Sequence, residues 1–390
     1  MPRIVHFSFP GHGSINPTLP VMRELVRRGD EVIYFATEQF RQAIQTTGAA
    51  FCAYTPRIAM PVQGPGPFAQ VSTTLETLLE FSRAILDDHL KQVRSLRPTH
   101  IMYDSFAPWG SFIAQLLRLP SIASVPSILI NAEIDGRYGH GQAEDPRLTR
   151  EWCAEFGARC RTLPTGPSPT QLLQSYGDLN IVYTSRAFQP MAEGFDEQRF
   201  QFVGPCFDAP ANTSAQADAR PIVLISLGTV YSDPDFFRRS AEELLDTPWH
   251  IVILNGSRPQ ASQLSLLQGC SAFVTHGGMN SVQEALYYGV PMVLTPQASD
   301  HFWISARVME LGAGVLLRSV REDIERILSD AKYAAAARCM GESLRAAGGP
   351  TRAADAIQNF MTNSASSPIL ASDSSSPTVR PGVRYASRTR

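Results

Sequence analysis

The feature that most constrains this fold is an alternation of short apolar runs with amphipathic segments, which occurs twice along the chain. In the first half, the strand-like runs RIVHFSF (3–9) and EVIYFAT (31–37) flank the helix-like segment LPVMRELVRRG (19–29). A second series begins at PIVLISLGT (221–229) and reaches PMVLTP (291–296). Such alternation is typical of parallel sheets covered by helices on both faces. The sequence therefore predicts an α/β protein with two sheets.

The length of 390 residues favours two domains, and composition places the boundary between them. We predict a first domain over 1–205, a linker rich in Ala, Asp, Asn and Pro over 206–220, and a second domain over 221–345. A helix over 346–360 is expected to pack back on the first domain. The Ser-, Pro- and Arg-rich tail, 361–390, is expected to be disordered.

Charge and cysteine usage narrow the functional classes. The net charge of −2 gives no sign of a nucleic-acid partner but is compatible with a small anionic ligand held locally. The six cysteines form no Cys-x-x-Cys pair, which argues against a zinc cluster or a disulfide framework. The apolar run before Pro10 is too short for a signal peptide, and no stretch of about 18 apolar residues occurs. We expect a cytoplasmic protein without stable membrane insertion.

The stretch FVTHGGMNSVQEALYYGVP (273–291) predicts a strand, a glycine turn and a helix. The first N–H groups of a helix have no partners within the helix, and the aligned peptide dipoles leave partial positive charge there. Glycines let a ligand approach the backbone closely. His276, Gly277 and Gly278 at this junction therefore suggest an anion site, and an ordinary capped turn is the alternative.

Two residues of the first half could serve acid–base chemistry. His12 lies between two glycines in PGHGSINPT, just past the first strand, and an imidazole there can act as a general base near neutral pH. Asp104 ends the strand THIMYD and could accept the second N–H of His12. The alternatives are a histidine satisfied by water and an aspartate that caps the helix near Trp109.

Further polar groups follow strands of the second series. They are the segment Ser226 to Thr229 after IVLI, and Asp300 with His301 after PMVLT, where a helix cap is the alternative. Ligands of open parallel sheets bind outside the carboxyl ends of the strands, so one cleft could hold all these groups together with His12 and His276.

Two partial motifs favour other chemistry only weakly. SDPD (232–235) contains the Asp-x-Asp pattern of some metal-dependent transferases, but Pro234 predicts a turn and a helix start instead, and we expect no metal site. Gly11 to Asn16, with Glu38 further on, echoes a dinucleotide fingerprint but lacks its third glycine.

Together these motifs resemble the GT-B fold UDP-glycosyltransferases, and within them the macrolide glycosyltransferase type. FVTHGGMNSVQEALYYGVPMVLTPQ is the most specific match, supported by PGHGSINPT, SLGTV and AGGPTRAADAI, and the resemblance spans residues 3 to about 360. It implies two Rossmann-like domains facing a central cleft. It also implies an inverting, metal-independent transfer from a UDP- or dTDP-sugar co-substrate, with no other cofactor, to a hydroxyl of a hydrophobic small molecule.

The resemblance assigns a role to each matching residue. It makes His12 the base and Asp104 its orienting partner, while Glu284 would hold the ribose and Asp300 and His301 would read the transferred sugar. The predicted donor site comprises Ser226, Gly228, Thr229, Gln263, His276, Gly277, Gly278, Asn280, Ser281, Glu284, Asp300 and His301. Acceptor contacts are expected from variable segments of the first domain, at Met60, Phe68, Trp109, Ile128 and Tyr138.

The chain departs from the family pattern at two places. The family usually has an extra strand ending in Trp-x-Pro-Gln that holds the uracil; here ILNGSRPQASQLSLLQGCSAFVTH runs almost directly across, with Gln263 as the matching glutamine. His301 stands where the family commonly has glutamine. A GT-B protein with reduced or lost activity, acting as a binding or partner protein, is therefore the alternative. An epimerase and an oxidoreductase rank after it.

Overall fold

A computed structural model describes residues 2–55, 71–130, 134, 157–167, 169–208, 220–228, 233–254, 260–297 and 300–366. These residues form two parallel sheets, one of seven strands and one of five, with helices on their faces. The predicted α/β class with two Rossmann-like sheets is confirmed. We call the seven-stranded sheet with its helices the first domain, and the five-stranded sheet with its helices the second.

In the first domain the strand order is β3-β2-β1-β4-β5-β6-β7, and every described neighbouring pair is parallel. The strands are β1 Arg3–Phe7, β2 Glu31–Ala36, β3 Ala50–Ala53, β4 His100–Asp104, β5 Ser121–Val125, β6 Leu179–Val182 and β7 Phe200–Phe202. The helices are α1 His12–Ile15, α2 Thr18–Arg27, α3 Arg41–Gln45, α4 Val71–Leu96, α5 Pro108–Leu117 and α6 Pro169–Leu173, with short 3₁₀ turns at Glu38–Phe40 and Ala192–Gly194.

In the second domain the order is β12-β11-β10-β8-β9, again parallel throughout. The strands are β8 Ile222–Ser226, β9 His250–Leu254, β10 Ala272–Thr275, β11 Met292–Leu294 and β12 Gly314–Leu316. The helices of this domain are α7 Pro234–Glu243, α8 Gln260–Leu267, α9 Met279–Tyr287, α10 Asp300–Glu310, α11 Val320–Ser329 and α12 Ala331–Ala346. A last helix, α13 Gly349–Ser366, follows them in the chain.

Strand alternation builds a core on each face of the first sheet. Val5 and Phe7 of β1 point into a cluster shared with α4 and α5, whereas Ile4 points into a cluster shared with α2 and α13. Side chains of successive strand residues face opposite sides, so a strand buried on both faces is mostly apolar. The second sheet is covered in the same way on its two faces.

Local capping explains where α7 begins. Asp233 is its N-cap and accepts a hydrogen bond from the backbone N–H of Phe236 at 2.8 Å, and Pro234 occupies the first turn. A proline at that position loses no helical hydrogen bond, because the first N–H groups have no partner within the helix. The prediction that SDPD starts a helix is confirmed.

The last described helix, α13, packs on α2 and β6 of the first domain. It runs to Ser366, so the predicted end at 360 is wrong by six residues. Met361 is only 3% exposed, and Nε2 of His100 and Oγ of Ser364 are 2.8 Å apart in a hydrogen bond. These contacts of the added turn explain the extension. The rest of the predicted tail, 367–390, lies outside the described residues.

Candidate active site

The two domains meet where their strands end. Asn280, in the first turn of α9, donates a side-chain hydrogen bond to the carbonyl oxygen of Gly13 in α1 at 3.2 Å. Gly13 follows β1, and α9 follows β10, so the carboxyl ends of both central strands face one cleft. Helix starts of both domains therefore line that cleft, as the rule for open parallel sheets predicts.

His12 is exposed at the cleft, as the first residue of α1 after the extended N-cap Gly11. Its ring packs edge-on against Phe40, with ring centroids 4.9 Å apart. Phe40 follows β2, so the ring contact fixes one side of the imidazole while the other is open to solvent. An exposed imidazole at this place can take a proton from a bound hydroxyl.

Asp104 is fully buried at the end of β4. Its Oδ1 accepts the backbone N–H of Phe106 at 2.7 Å, and Oδ2 has no hydrogen-bond partner among the described residues. Burial raises the pKa of Asp104 to about 7, and the Phe106 amide and the Ser14 side chain only partly oppose that shift. In this arrangement the described residues form no bond between Asp104 and His12. The orienting role of Asp104 therefore stays a prediction.

The His276 ring is packed between two glycines, one from each neighbouring turn. A Cβ on Gly228 would lie 2.7 Å from Cε1 of His276, and a Cβ on Gly278 would collide with Nε2. Gly228 and Gly277 have φ of +79° and +82°, which side chains of L residues rarely adopt. The histidine ring itself thus requires glycine at 228 and 278, whereas a Cβ on Gly277 would collide with Oγ of Ser305.

Burial keeps His276 neutral. Its pKa is lowered to about 3, chiefly by desolvation and further by the nearby His301, while a backbone contact with Ser226 opposes the shift. The two histidine rings are nearly perpendicular, with centroids 4.7 Å apart. A neutral imidazole at the start of α9 can donate one hydrogen bond to an oxygen anion beside the free N–H groups of the helix.

Gln263 connects α8 to the predicted nucleotide side of α9. Its Nε2 donates to Oε2 of Glu284 at 2.7 Å and to Oγ of Ser281 at 3.2 Å. Glu284 is 2% exposed, and these bonds hold its carboxylate on the side of α9 that faces Gln263. The structure therefore brings the predicted ribose residue and the matching glutamine into direct contact.

Asp300 begins α10 and reaches across to the first domain. Its Oδ2 accepts a hydrogen bond from Oγ of Ser127 at 2.8 Å, and Ser127 follows β5. Burial lowers the pKa of His301, the next residue, and the Asp300 carboxylate opposes that shift. Sequence reasoning missed Ser127, although its place after a strand was the same signal that singled out His12 and Asp104.

The predicted acceptor contacts need correction. Trp109 and Ile128 have no exposed surface, so neither lines a space that an acceptor could enter in this arrangement. Trp109 is a core residue whose Nε1 donates to the hydroxyl of Tyr54 at 3.1 Å. Ile128 packs into the core of the second domain. Four predicted residues lie outside the described residues: Met60, Phe68, Tyr138 and Thr229.

The described residues contain neither a cluster of metal ligands nor a membrane-spanning helix. No group of three or more His, Cys, Asp or Glu side chains there has an arrangement that could hold a metal ion. Within the same part of the chain, every helix is too short or too polar to span a lipid bilayer.

Several known proteins are similar to this chain in sequence. The family model described as "Erythromycin biosynthesis protein CIII-like, C-terminal domain" matches residues 261–360. The chain is 31% identical to the uncharacterized UDP-glucosyltransferase YojK of Bacillus subtilis (strain 168), over 92% of this chain and 97% of that protein. It is 30% identical to the NDP-glycosyltransferase YjiC of the same organism, over the same shares.

A solved structure agrees with these relatives. The glycotransferase of kitacinnamycin superposes with a TM-score of 0.76 at 27% identity, over 93% of this chain and all of that one. The fold and site thus define a GT-B glycosyltransferase, an enzyme that takes its sugar from a nucleotide-sugar donor. The chain belongs to the macrolide, YjiC-like family of these enzymes.

Proposed function

We propose that this enzyme transfers a sugar from a UDP-sugar or dTDP-sugar to a hydroxyl of a hydrophobic natural product, with inversion and without a metal ion. The observation that carries this proposal is the hydrogen bond between Asn280 and Gly13. It brings the start of α9, the proposed diphosphate site, against the turn that holds His12. A base and a leaving-group site on opposite sides of one cleft are the two groups that a single displacement needs.

The chemistry follows from that placement. His12 accepts the proton of the acceptor hydroxyl while its oxygen forms a bond to the anomeric carbon. The bond from that carbon to the diphosphate breaks on the opposite face, which inverts the configuration and releases the nucleoside diphosphate. The free N–H groups at the start of α9 and the neutral His276 stabilise the negative charge that develops on the leaving oxygen.

The relatives support this choice of substrates. YojK carries the name of a UDP-glucosyltransferase and YjiC that of an NDP-glycosyltransferase, which supports a nucleotide-sugar donor and makes UDP-glucose the first donor to test. The kitacinnamycin enzyme and the erythromycin family model point to natural-product acceptors. The exposed side chain of His12 leaves the base accessible to an acceptor of this class.

A substrate panel tests the proposal. Purified protein is incubated with UDP- and dTDP-sugars and with macrolide and phenolic acceptors, and nucleotide release and product mass are followed. We expect His12→Ala to lower kcat by about 10² to 10⁴-fold, the usual contribution of a general base, while UDP binding is retained.

His250→Ala is the matched control, because it removes another exposed histidine at the start of β9. It is expected to leave kcat unchanged. Undiminished product formation by His12→Ala would remove His12 as the base. Donor consumption without any acceptor would instead indicate an epimerase.

A binding or partner protein with reduced activity is the second candidate. Two observations favour it. β9 is the outermost described strand of its sheet, so the described residues provide no further strand to hold the uracil. The Glu284 carboxylate, the predicted ribose contact, is already hydrogen-bonded to Gln263. Calorimetry with UDP and UDP-glucose separates the candidates. Binding accompanied by turnover excludes the second, whereas binding without turnover across the whole panel supports it.

A further inference from the structure

Ser127 lies just after β5 of the first domain, and its side chain bonds to a predicted sugar-reading group of the second. It is 2% exposed, and its hydroxyl donates to Oδ2 of Asp300 at 2.8 Å. Because a carboxylate is a charged acceptor, such a hydrogen bond is stronger than one between neutral groups. The bond therefore selects one orientation of the Asp300 side chain.

The residues that follow Ser127 hold its hydroxyl in a fixed place. Ile128 is fully buried in the core of the second domain. The backbone N–H of Leu129 donates to Oε1 of Gln189 at 2.9 Å, and Nε2 of Gln189 donates to the carbonyl oxygen of Leu129 at 3.0 Å. The segment after β5 is thus anchored in both domains and cannot shift without breaking a packed interface.

On the other side, Asp300 connects to the proposed diphosphate site. It is followed directly by His301, whose ring lies against the ring of His276. His276 in turn is packed between Gly228 and Gly278 at the start of α9. Asp300 therefore lies between Ser127 of the first domain and the residues of the proposed diphosphate site, which is where a sugar attached to that diphosphate would lie.

We propose that Ser127 is a positioning residue that orients Asp300 toward the transferred sugar, so that sugar recognition depends on this contact between the two domains. This inference rests on the proposed function, in which Asp300 contacts the sugar. It predicts that Ser127 affects how the sugar is held and leaves the binding of the nucleotide alone, because the nucleotide side is built by Gln263 and Glu284.

Ser127→Ala and Ser127→Thr test the role of the hydroxyl. We expect Ser127→Ala to lower kcat/KM for the sugar donor by about tenfold, with the inhibition constant of UDP within about twofold of wild type. Ser127→Thr keeps a hydroxyl and is expected to restore most of the activity. Ser185→Ala is the matched control, since Ser185 is also 2% exposed and contacts the second domain at the Met340 sulfur, 3.9 Å away.

A double-mutant cycle shows whether Ser127 acts through Asp300. In an Asp300→Ala background, Ser127→Ala is expected to have no further effect on kcat/KM. The inference is overturned if Ser127→Ala behaves as wild type, if the two effects add fully, or if the inhibition constant of UDP weakens as much as kcat/KM falls.

Failure of the proposed function gives a different result. If wild-type protein transfers no sugar to any acceptor, that function fails, and calorimetry still tests Ser127. Tighter binding of UDP-glucose than of UDP by the wild type, lost in Ser127→Ala, would support the positioning role. Equal differences in the two proteins would overturn it.

Discussion

The glycines around His276 show how one residue type serves two purposes. Gly277 is expected to let a ligand approach the backbone, and that role stays a prediction; its φ of +82° is a separate reason for a glycine, because side chains of L residues rarely adopt it. Gly228 and Gly278 have an additional reason to lack a side chain, because the imidazole occupies the space where a Cβ would lie. A sequence pattern records that a glycine is needed, whereas the neighbouring side chain explains why.

Asp104 should make stability depend on pH in an unusual direction. Its pKa is raised to about 7 in the folded protein, against about 4 in the unfolded chain. Between those values the unfolded chain releases the proton and the folded protein keeps it, so the free energy of unfolding falls as pH rises. Above pH 7 the folded protein loses the proton as well, and burial of the charged carboxylate then lowers the free energy of unfolding by the full amount that the two pKa values imply. Asp104→Asn removes that charge and should stabilise the protein by about 2 to 4 kcal/mol at pH 8.

Urea unfolding at pH 5 and pH 8 measures the effect. The wild type should lose stability between the two values, and Asp104→Asn should lose much less. Asp178→Asn is the control, because Asp178 is exposed and already accepts two hydrogen bonds from Ser121. Equal pH slopes in wild type and Asp104→Asn would contradict the prediction.

At the scale of elements, α13 ties the end of the described chain to the first domain. Besides the contacts of Met361 and Ser364, the guanidinium of Arg28, the C-cap residue of α2, pairs with Asp355 at 2.6 Å. The last helix of the described chain therefore packs against α2, near the start of the chain, and against β6. Its length was underestimated because composition changes only gradually after 360, and nothing local marks the last turn.

Two truncations test the boundary of α13. A chain ending after Phe360 loses the burial of Met361 and the bond between His100 and Ser364, and its free energy of unfolding should fall by about 2 to 4 kcal/mol. A chain ending after Ser366 keeps both contacts and should match the full-length protein. The measurement is urea unfolding followed by circular dichroism, and equal loss in both truncations would contradict the assignment.

At the scale of the whole molecule, side chains of one domain complete the core of the other. Ile128 and Phe188 of the first domain are fully buried in a cluster of the second. Arg307 of α10 secures the same contact, since it donates to the carbonyl oxygens of Phe188 at 2.8 Å and Ala187 at 2.9 Å. Because α10 also carries Asp300 and His301, the domain contact and the proposed donor site share one helix.

Arg307→Ala should therefore weaken both stability and donor use. Leaving the two carbonyls without their donor is expected to lower the free energy of unfolding by about 1 to 3 kcal/mol and to raise KM for the sugar donor. Arg238→Ala is the matched control, because Arg238 is exposed and pairs only within its own helix in the described chain, with Asp235 and Glu242. Unfolding curves and initial rates measure both effects, and indistinguishable variants would contradict the prediction.

The sequence by itself determined the α/β class, the two sheets and the family, because strand periodicity, glycine turns and the stretch 273–291 are local patterns. It also identified His12, His276 and Glu284 as residues to examine, through their places after strands or in that stretch. Only the tertiary structure decided that Trp109 and Ile128 are core residues, that Ser127 reaches Asp300, and that Gln263 holds Glu284. Those facts depend on which distant segments pack together, and side-chain contacts between domains leave no periodic signal in the chain.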